Sequence, residues 1–185
     1  ETVDALNRYR KSVGATVNDV LLAVYYKAMH DIVQPEGPDE FCILNTFDLR
    51  KHFPPEKRYR AGNFSSYINT NVYLAKNMPF VDIVRQVQER VKEQKNKYAG
   101  LVESPYVWAI FNLLPHVVAK NLFEWLLRKR GDCVPVMTNA GYIDPRQFRI
   151  DGVPIKNAFI TSPLTYPPKI VLCFCACGEN ITIST

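Results

Sequence analysis

Apolar residues recur at two spacings along the chain, one helical and one alternating. Within residues 4–13, Ala5, Leu6, Tyr9 and Val13 share one side of a short helix, which Gly14 closes. From Val17 the apolar positions crowd together: Val17, Val20, Leu21, Leu22, Ala23, Val24 and Met29. The pattern predicts a helix over 17–33 that is buried on most of its surface. Thr16 stands at its N-cap and Asp19 three residues on, a capping box with Asp in place of Glu. Breakers fill 34–38. Residues 40–48 then read as a strand, apolar on both faces at Phe41-Cys42-Ile43-Leu44 and so central in its sheet.

A basic, proline-bearing loop runs to Ala61. Gly62-Asn63-Phe64-Ser65-Ser66 opens a strand in which Ile68, Thr70, Val72 and Leu74 alternate with Tyr67, Asn69, Asn71 and Tyr73. Residues 79–97 return to helical spacing, with Phe80, Ile83, Val84, Val87 and Val91 as the stripe. A second helical stretch, 105–130, is kinked or split at Pro115. Strands follow at 134–139, ending in Thr138-Asn139-Ala140-Gly141, at 158–161 and at 169–177. Gly178-Glu179-Asn180 turns the last into a hairpin partner over 181–184. Helices and strands so interleaved give an α/β (α+β) domain over 1–185, a mixed sheet with flanking helices.

Composition narrows the class. Hydrophobic residues make up 47% and charged residues 22%, ordinary for a soluble globular chain. The longest apolar run, 106–114, is too short to span a bilayer, so no transmembrane segment is expected. The chain opens at Glu1 without a signal sequence and ends in a strand, and so reads as a piece of a longer protein. The net charge of +5 is clustered at 50–51, 57–60, 92–97 and 128–130, either as solvated faces or as a docking surface for a phosphorylated partner or cofactor. No nucleic-acid-binding signature accompanies the clusters, so nucleic acid is not expected as a partner. The five cysteines fit no disulfide framework, which points to the reducing cytoplasm. Cys173, Cys175 and Cys177 alternate on one strand face as small core residues, and their spacing is not that of a metal site.

Catalytic chemistry is sparse. His30, His52 and His116 are scattered, and no nucleophile elbow, phosphate loop or zinc motif occurs. Asn18 and Asp19 are the odd feature. Polar side chains at the mouth of a buried helix need partners, or each costs about 1–3 kcal/mol. Capping alone would satisfy that need; a site would too.

Four short blocks, in order, carry a resemblance: Thr16-Val17-Asn18-Asp19-Val20-Leu21-Leu22-Ala23, Asp48-Leu49-Arg50, Gly62-Asn63-Phe64 and Met137-Thr138-Asn139-Ala140-Gly141. Together they resemble the C-terminal half of the chloramphenicol-acetyltransferase-like superfamily. That group includes condensation domains of nonribosomal peptide synthetases, wax ester synthases and alcohol acetyltransferases. The resemblance implies one lobe of a two-lobed acyltransferase, which moves an acyl group from a thioester to an alcohol or amine. The donor would be acyl-CoA or a phosphopantetheine thioester on an acyl carrier protein, with no tightly bound cofactor and no metal. The family's catalytic H-H-x-x-x-D-G is not in this sequence. Its general-base histidine would lie in an N-terminal lobe, this lobe's main partner, and the chain by itself would be inactive.

On that resemblance, Asn18 and Asp19 fix the helix entrance beside the tunnel, and Arg50 ties strand to loop. Asn63, Ser65, Thr138 and Asn139 are candidates to hydrogen-bond substrate or a tetrahedral oxyanion. A plain turn at Gly62-Asn63 is the competing reading there. The competing reading of the whole chain is a non-catalytic condensation-like docking module; a weaker one is a fragment that dimerises over its exposed lobe interface.

Overall fold

The computed structural model describes residues 2–58, 64–96, 103–129, 135–162 and 170–185. Helix α1 (Thr2–Ser12) turns through Gly14, φ +66°, into α2 (Val17–Val33). The capping box is formed: the Thr16 N–H donates to Asp19 Oδ2 at 3.0 Å, and the Asp19 N–H to Thr16 Oγ1 at 3.2 Å. Strands β1 (Asp39–Asp48) and β2 (Ser65–Leu74) pair antiparallel, and α3 (Phe80–Asn96) follows. The apolar stretch around Pro115 is two helices, α4 (Glu103–Leu113) and α5 (His116–Lys129). Proline's missing N–H and its clash with the preceding turn explain the split.

Strand β3 (Val136–Ile143) runs past the predicted end of 139 because a bulge between Asn139 and Tyr142 lets pairing resume. A small ladder, β4 (Arg149–Ile150) with β5 (Val153–Pro154), closes on Asp151 and Gly152, both at positive φ. Strands β6 (Val171–Cys177) and β7 (Asn180–Ser184) form the expected hairpin. The strand expected at 158–161 is not one. That segment is irregular and is held instead by single bonds: Ser184 Oγ donates to the Ile160 carbonyl at 2.6 Å. It bears no continuous ladder because its contacts to the sheet go through side chains.

The main sheet has the order β2-β1-β3-β6-β7. β1–β3 and β3–β6 are parallel and the outer pairs antiparallel, so the sheet is mixed. β1 is interior, as its apolar run predicts, with β3 at the middle.

Register divides the side chains between two faces. Asn45 pairs with Ile68 and Met137, and Met137 with Leu172, so Ile43, Val72, Met137 and Phe174 fall on the face that packs against α2 and α3. Cys42, Thr46, Thr138 and Cys173 fall on the opposite face. Leu22, Ala23 and Tyr26 of α2 are wholly buried in this core. Tyr26 Oη donates to the Thr70 carbonyl, and Tyr25 Oη reaches the Ile170 carbonyl at 3.2 Å. One helical turn thus grips both halves of the sheet. The edge of β2 is guarded by Gln86, whose amide accepts the Tyr73 N–H at 3.2 Å and donates to the Tyr73 carbonyl at 3.0 Å. Cys173, Cys175 and Cys177 are buried, free thiols.

Candidate functional site

The first turn of α2 ends over the bulge in β3. Asn18 follows the N-cap by two residues, and its Oδ1 accepts from Asn139 Nδ2 at 3.4 Å. Asn139 Oδ1 accepts the Gly141 N–H at 2.9 Å. Gly141 has φ +78°, a conformation costly for other residues, and that turn lifts Tyr142 back into register with Ala176. The bulge is therefore built by the Asn139-Ala140-Gly141 sequence itself.

Beside Asn139 lies a cleft of about 240 Å³. Its walls are apolar: Val3 and Leu6 of α1, Val17 and Leu21 of α2, Phe174 and Ala176 of β6. Asn7 and Asn139 bring amides to it, and among the described residues no charged side chain lines it. Tyr142, 61% exposed, stands at the mouth. Cys175 borders the cleft, but strand alternation turns its thiol to the opposite face, where Sγ lies 3.8 Å from the Ala158 carbonyl, and burial, with Cys177 close by, pushes its pKa up. It stays a thiol at neutral pH and is not an activated nucleophile. The chemistry on offer is an amide donor beside an apolar hollow.

The other predicted residues divide. Asp19 is 6% exposed and is engaged in the capping box. Thr138, though adjacent to Asn139, faces the other side of the sheet, where it meets Thr46 Oγ1 at 2.8 Å. Arg50 lies at the far end of β1: its Nη1 is 3.4 Å from Asp48 Oδ1, and its guanidinium sits 4.8 Å from the Phe64 ring centre. These contacts join the end of β1 to the residue before β2. Ser65 begins β2 opposite Asp48. Asn63 lies outside the described residues. Asn18 and Asn139 are thus the pair that folding brings together.

All three histidines lie elsewhere, each against a phenylalanine: His30 by Phe41, His52 by Phe47, His116 by Phe111. None lines the cleft. Among the described residues no cluster of His, Cys, Asp and Glu could hold a metal, and no helix is long and apolar enough to cross a membrane. Sequence reasoning missed Asn7, Ala176 and the Asp151-Gly152 hairpin. The last had a signal, Ile-Asp-Gly-Val, a two-residue turn flanked by β-branched residues.

No protein-family model and no curated protein matches the sequence. Solved structures do match in shape. The first condensation domain of the CDA synthetase aligns with TM-score 0.55 at 14% identity, over 94% of this chain and 33% of that one. The first condensation domain of the calcium-dependent antibiotic synthetase, in complex with substrate analogue 2a, aligns with TM-score 0.58 at 15% identity, over 94% and 33%. Vinorine synthase gives 0.55 at 12%, over 93% and 38%. The chain spans about a third of the length of these structures, and over nearly all of its own residues it has the mixed α/β fold they share.

Proposed function

We propose that the chain is the C-terminal lobe of an acyltransferase. It would work with a second, N-terminal lobe and move an acyl group from a CoA or carrier-protein thioester to an alcohol or amine. The observation that carries this reading is the fold likeness to both a condensation domain and vinorine synthase across more than nine-tenths of the chain. The exposed apolar residues of α4 and α5, among them Tyr106, Trp108, Leu113 and Val117, also favour burial against further protein. In the reaction, the acceptor oxygen or nitrogen attacks the thioester carbonyl, the C–S bond breaks and the thiol leaves. The acceptor's proton goes to an imidazole of the other lobe and on to the thiolate. This lobe supplies a wall, and Asn139 supplies a donor for the carbonyl oxygen as charge develops on it. Free thiols suit a cytoplasmic setting.

The test is an assay of thiol release from acyl-CoA by the protein carrying this chain together with its second lobe, against a panel of alcohols and amines. Turnover that is lost when the second lobe's histidine is replaced supports the reading. A correctly folded two-lobed protein with no thiol release on any acceptor or carrier-bound donor counts against it. That result would favour a non-catalytic docking module, a role also compatible with the absence of any histidine at the cleft.

A further inference from the structure

We propose that the cleft beside Asn139 holds the apolar tail of the acyl group, with the thioester carbonyl at the Asn139 amide, and that its size limits a linear chain to about ten carbons. This assignment rests on the acyltransferase reading and names the substrate class of that site.

Three observations support it. The first is the lining. Among the described residues no charged side chain faces the cleft, so a phosphate, carboxylate or ammonium placed there would lose its hydration without a counter-charge from them. The walls instead reward removal of alkyl surface from water.

The second is the polar end. The Asn139 amide donates to Asn18 Oδ1 at 3.4 Å, a long bond beyond the usual range for N–H···O. A neutral carbonyl oxygen at ordinary distance would replace it at little cost. A ligand with one hydrogen-bond acceptor joined to an apolar tail matches both ends of the site.

The third is the volume. An apolar cavity of about 150 Å³ accommodates the six carbons of benzene. Scaled by carbon count, a cleft of about 240 Å³ holds a tail of up to about ten carbons. Phe174, buried on β6, and Ile181, opposite Ala176 on β7, border the sheet side of that space.

The probes are acetyl, decanoyl and tetradecanoyl thioesters of N-acetylcysteamine, titrated into the protein carrying this chain and followed by calorimetry. The decanoyl thioester is expected to bind more than about tenfold tighter than the acetyl one, because added methylenes are buried, and the tetradecanoyl thioester no tighter than the decanoyl. Ala176→Leu fills the cleft from β6 and is expected to cut the decanoyl-to-acetyl ratio at least about fivefold. Ile181→Trp does the same from β7, where the side chain is only half-buried, should Ala176→Leu fail to fold. Equal binding of acetyl and decanoyl probes, or a ratio unmoved in a folded cleft variant, overturns the assignment and leaves the cleft as a seam for protein. Thiol release is scored separately. Chain-length-selective binding without turnover on any acceptor would sink the acyltransferase reading while keeping the cleft as an acyl site.

Discussion

Asn139 presents nitrogen, not oxygen, to Asn18. The Gly141 N–H can only donate, so the Asn139 atom it meets at 2.9 Å must be Oδ1, and Nδ2 is left to face Asn18 Oδ1. A backbone amide in a bulge thereby fixes which end of the side chain is offered to the cleft.

Replacing that amide tests it. Asn139→Asp keeps an acceptor for the Gly141 N–H but removes the donor and adds a charge. We expect the bulge to persist and kcat for thiol release to fall about 100-fold, the size typical of losing one preorganised donor. Asn139→Ala loses both ends and should also cost about 1 kcal/mol of stability through the unpaired Gly141 N–H. Steady-state kinetics and urea unfolding separate the two effects. A wild-type rate in Asn139→Asp would remove Asn139 from the reaction.

Thr138 is one residue away and belongs to a different environment. Its hydroxyl is 2.8 Å from that of Thr46, across the parallel pairing of β1 with β3 and on the face away from the cleft. A double-mutant cycle with Thr46→Val and Thr138→Val should give a coupling of about 0.5–1.5 kcal/mol in unfolding free energy. The decanoyl-to-acetyl binding ratio should stay at the wild-type value in all three variants. A ratio that moves with Thr138→Val would place this residue with Asn139 after all.

Gly14 and Gly37 give a controlled comparison of backbone cost. Neither has any atom within 4 Å of where a Cβ would sit, so packing is removed from the comparison. Gly14 has φ +66°, whereas Gly37 is not in the left-handed region. Gly14→Ala should therefore destabilise by about 1–2 kcal/mol. Gly37→Ala should be neutral or slightly stabilising, since it restricts the unfolded chain. Thermal unfolding of the pair of variants checks the difference. Equal midpoints would mean that the α1–α2 turn relaxes without cost.

Local order could be read from local sequence. The capping box at Thr16 and Asp19, the α3 stripe and the β2 alternation each lie within a few residues, and each formed as spaced. The 158–161 strand failed because β-propensity does not supply a partner: among the described residues the segment meets the β6–β7 hairpin through the side chains of Cys175 on β6 and Ser184 on β7, not through a ladder. Asn18 and Asn139 stand out in the sequence one by one, but their meeting does not. Thr138-Asn139 reads as one motif, yet alternation along a strand sends the two side chains to opposite faces. The cleft could not be seen at all, because its walls come from α1, α2, β3, β6 and β7 and exist only once register is set.

Tyr25 makes the stability of the fold sensitive to alkaline pH. Its ring is buried under the sheet, its hydroxyl donates to the Ile170 carbonyl, and burial pushes its pKa from 10.0 up to about 12. The neutral phenol is the form the folded state favours. Below pH 10 both folded and unfolded states keep the proton, and the contribution to stability is fully present. Between pH 10 and 12 the unfolded state releases its proton while the folded state retains it, so stability falls as pH rises through that window. Burial pushes Tyr26 further in the same direction, which steepens the fall. Tyr25→Phe loses one hydrogen bond, about 1 kcal/mol at pH 8, but should be less pH-sensitive. Urea unfolding at pH 8, 10 and 11 should show the wild type and the variant converging as pH rises. Parallel declines over that range would mean that the Tyr25 hydroxyl titrates as it does in the unfolded chain.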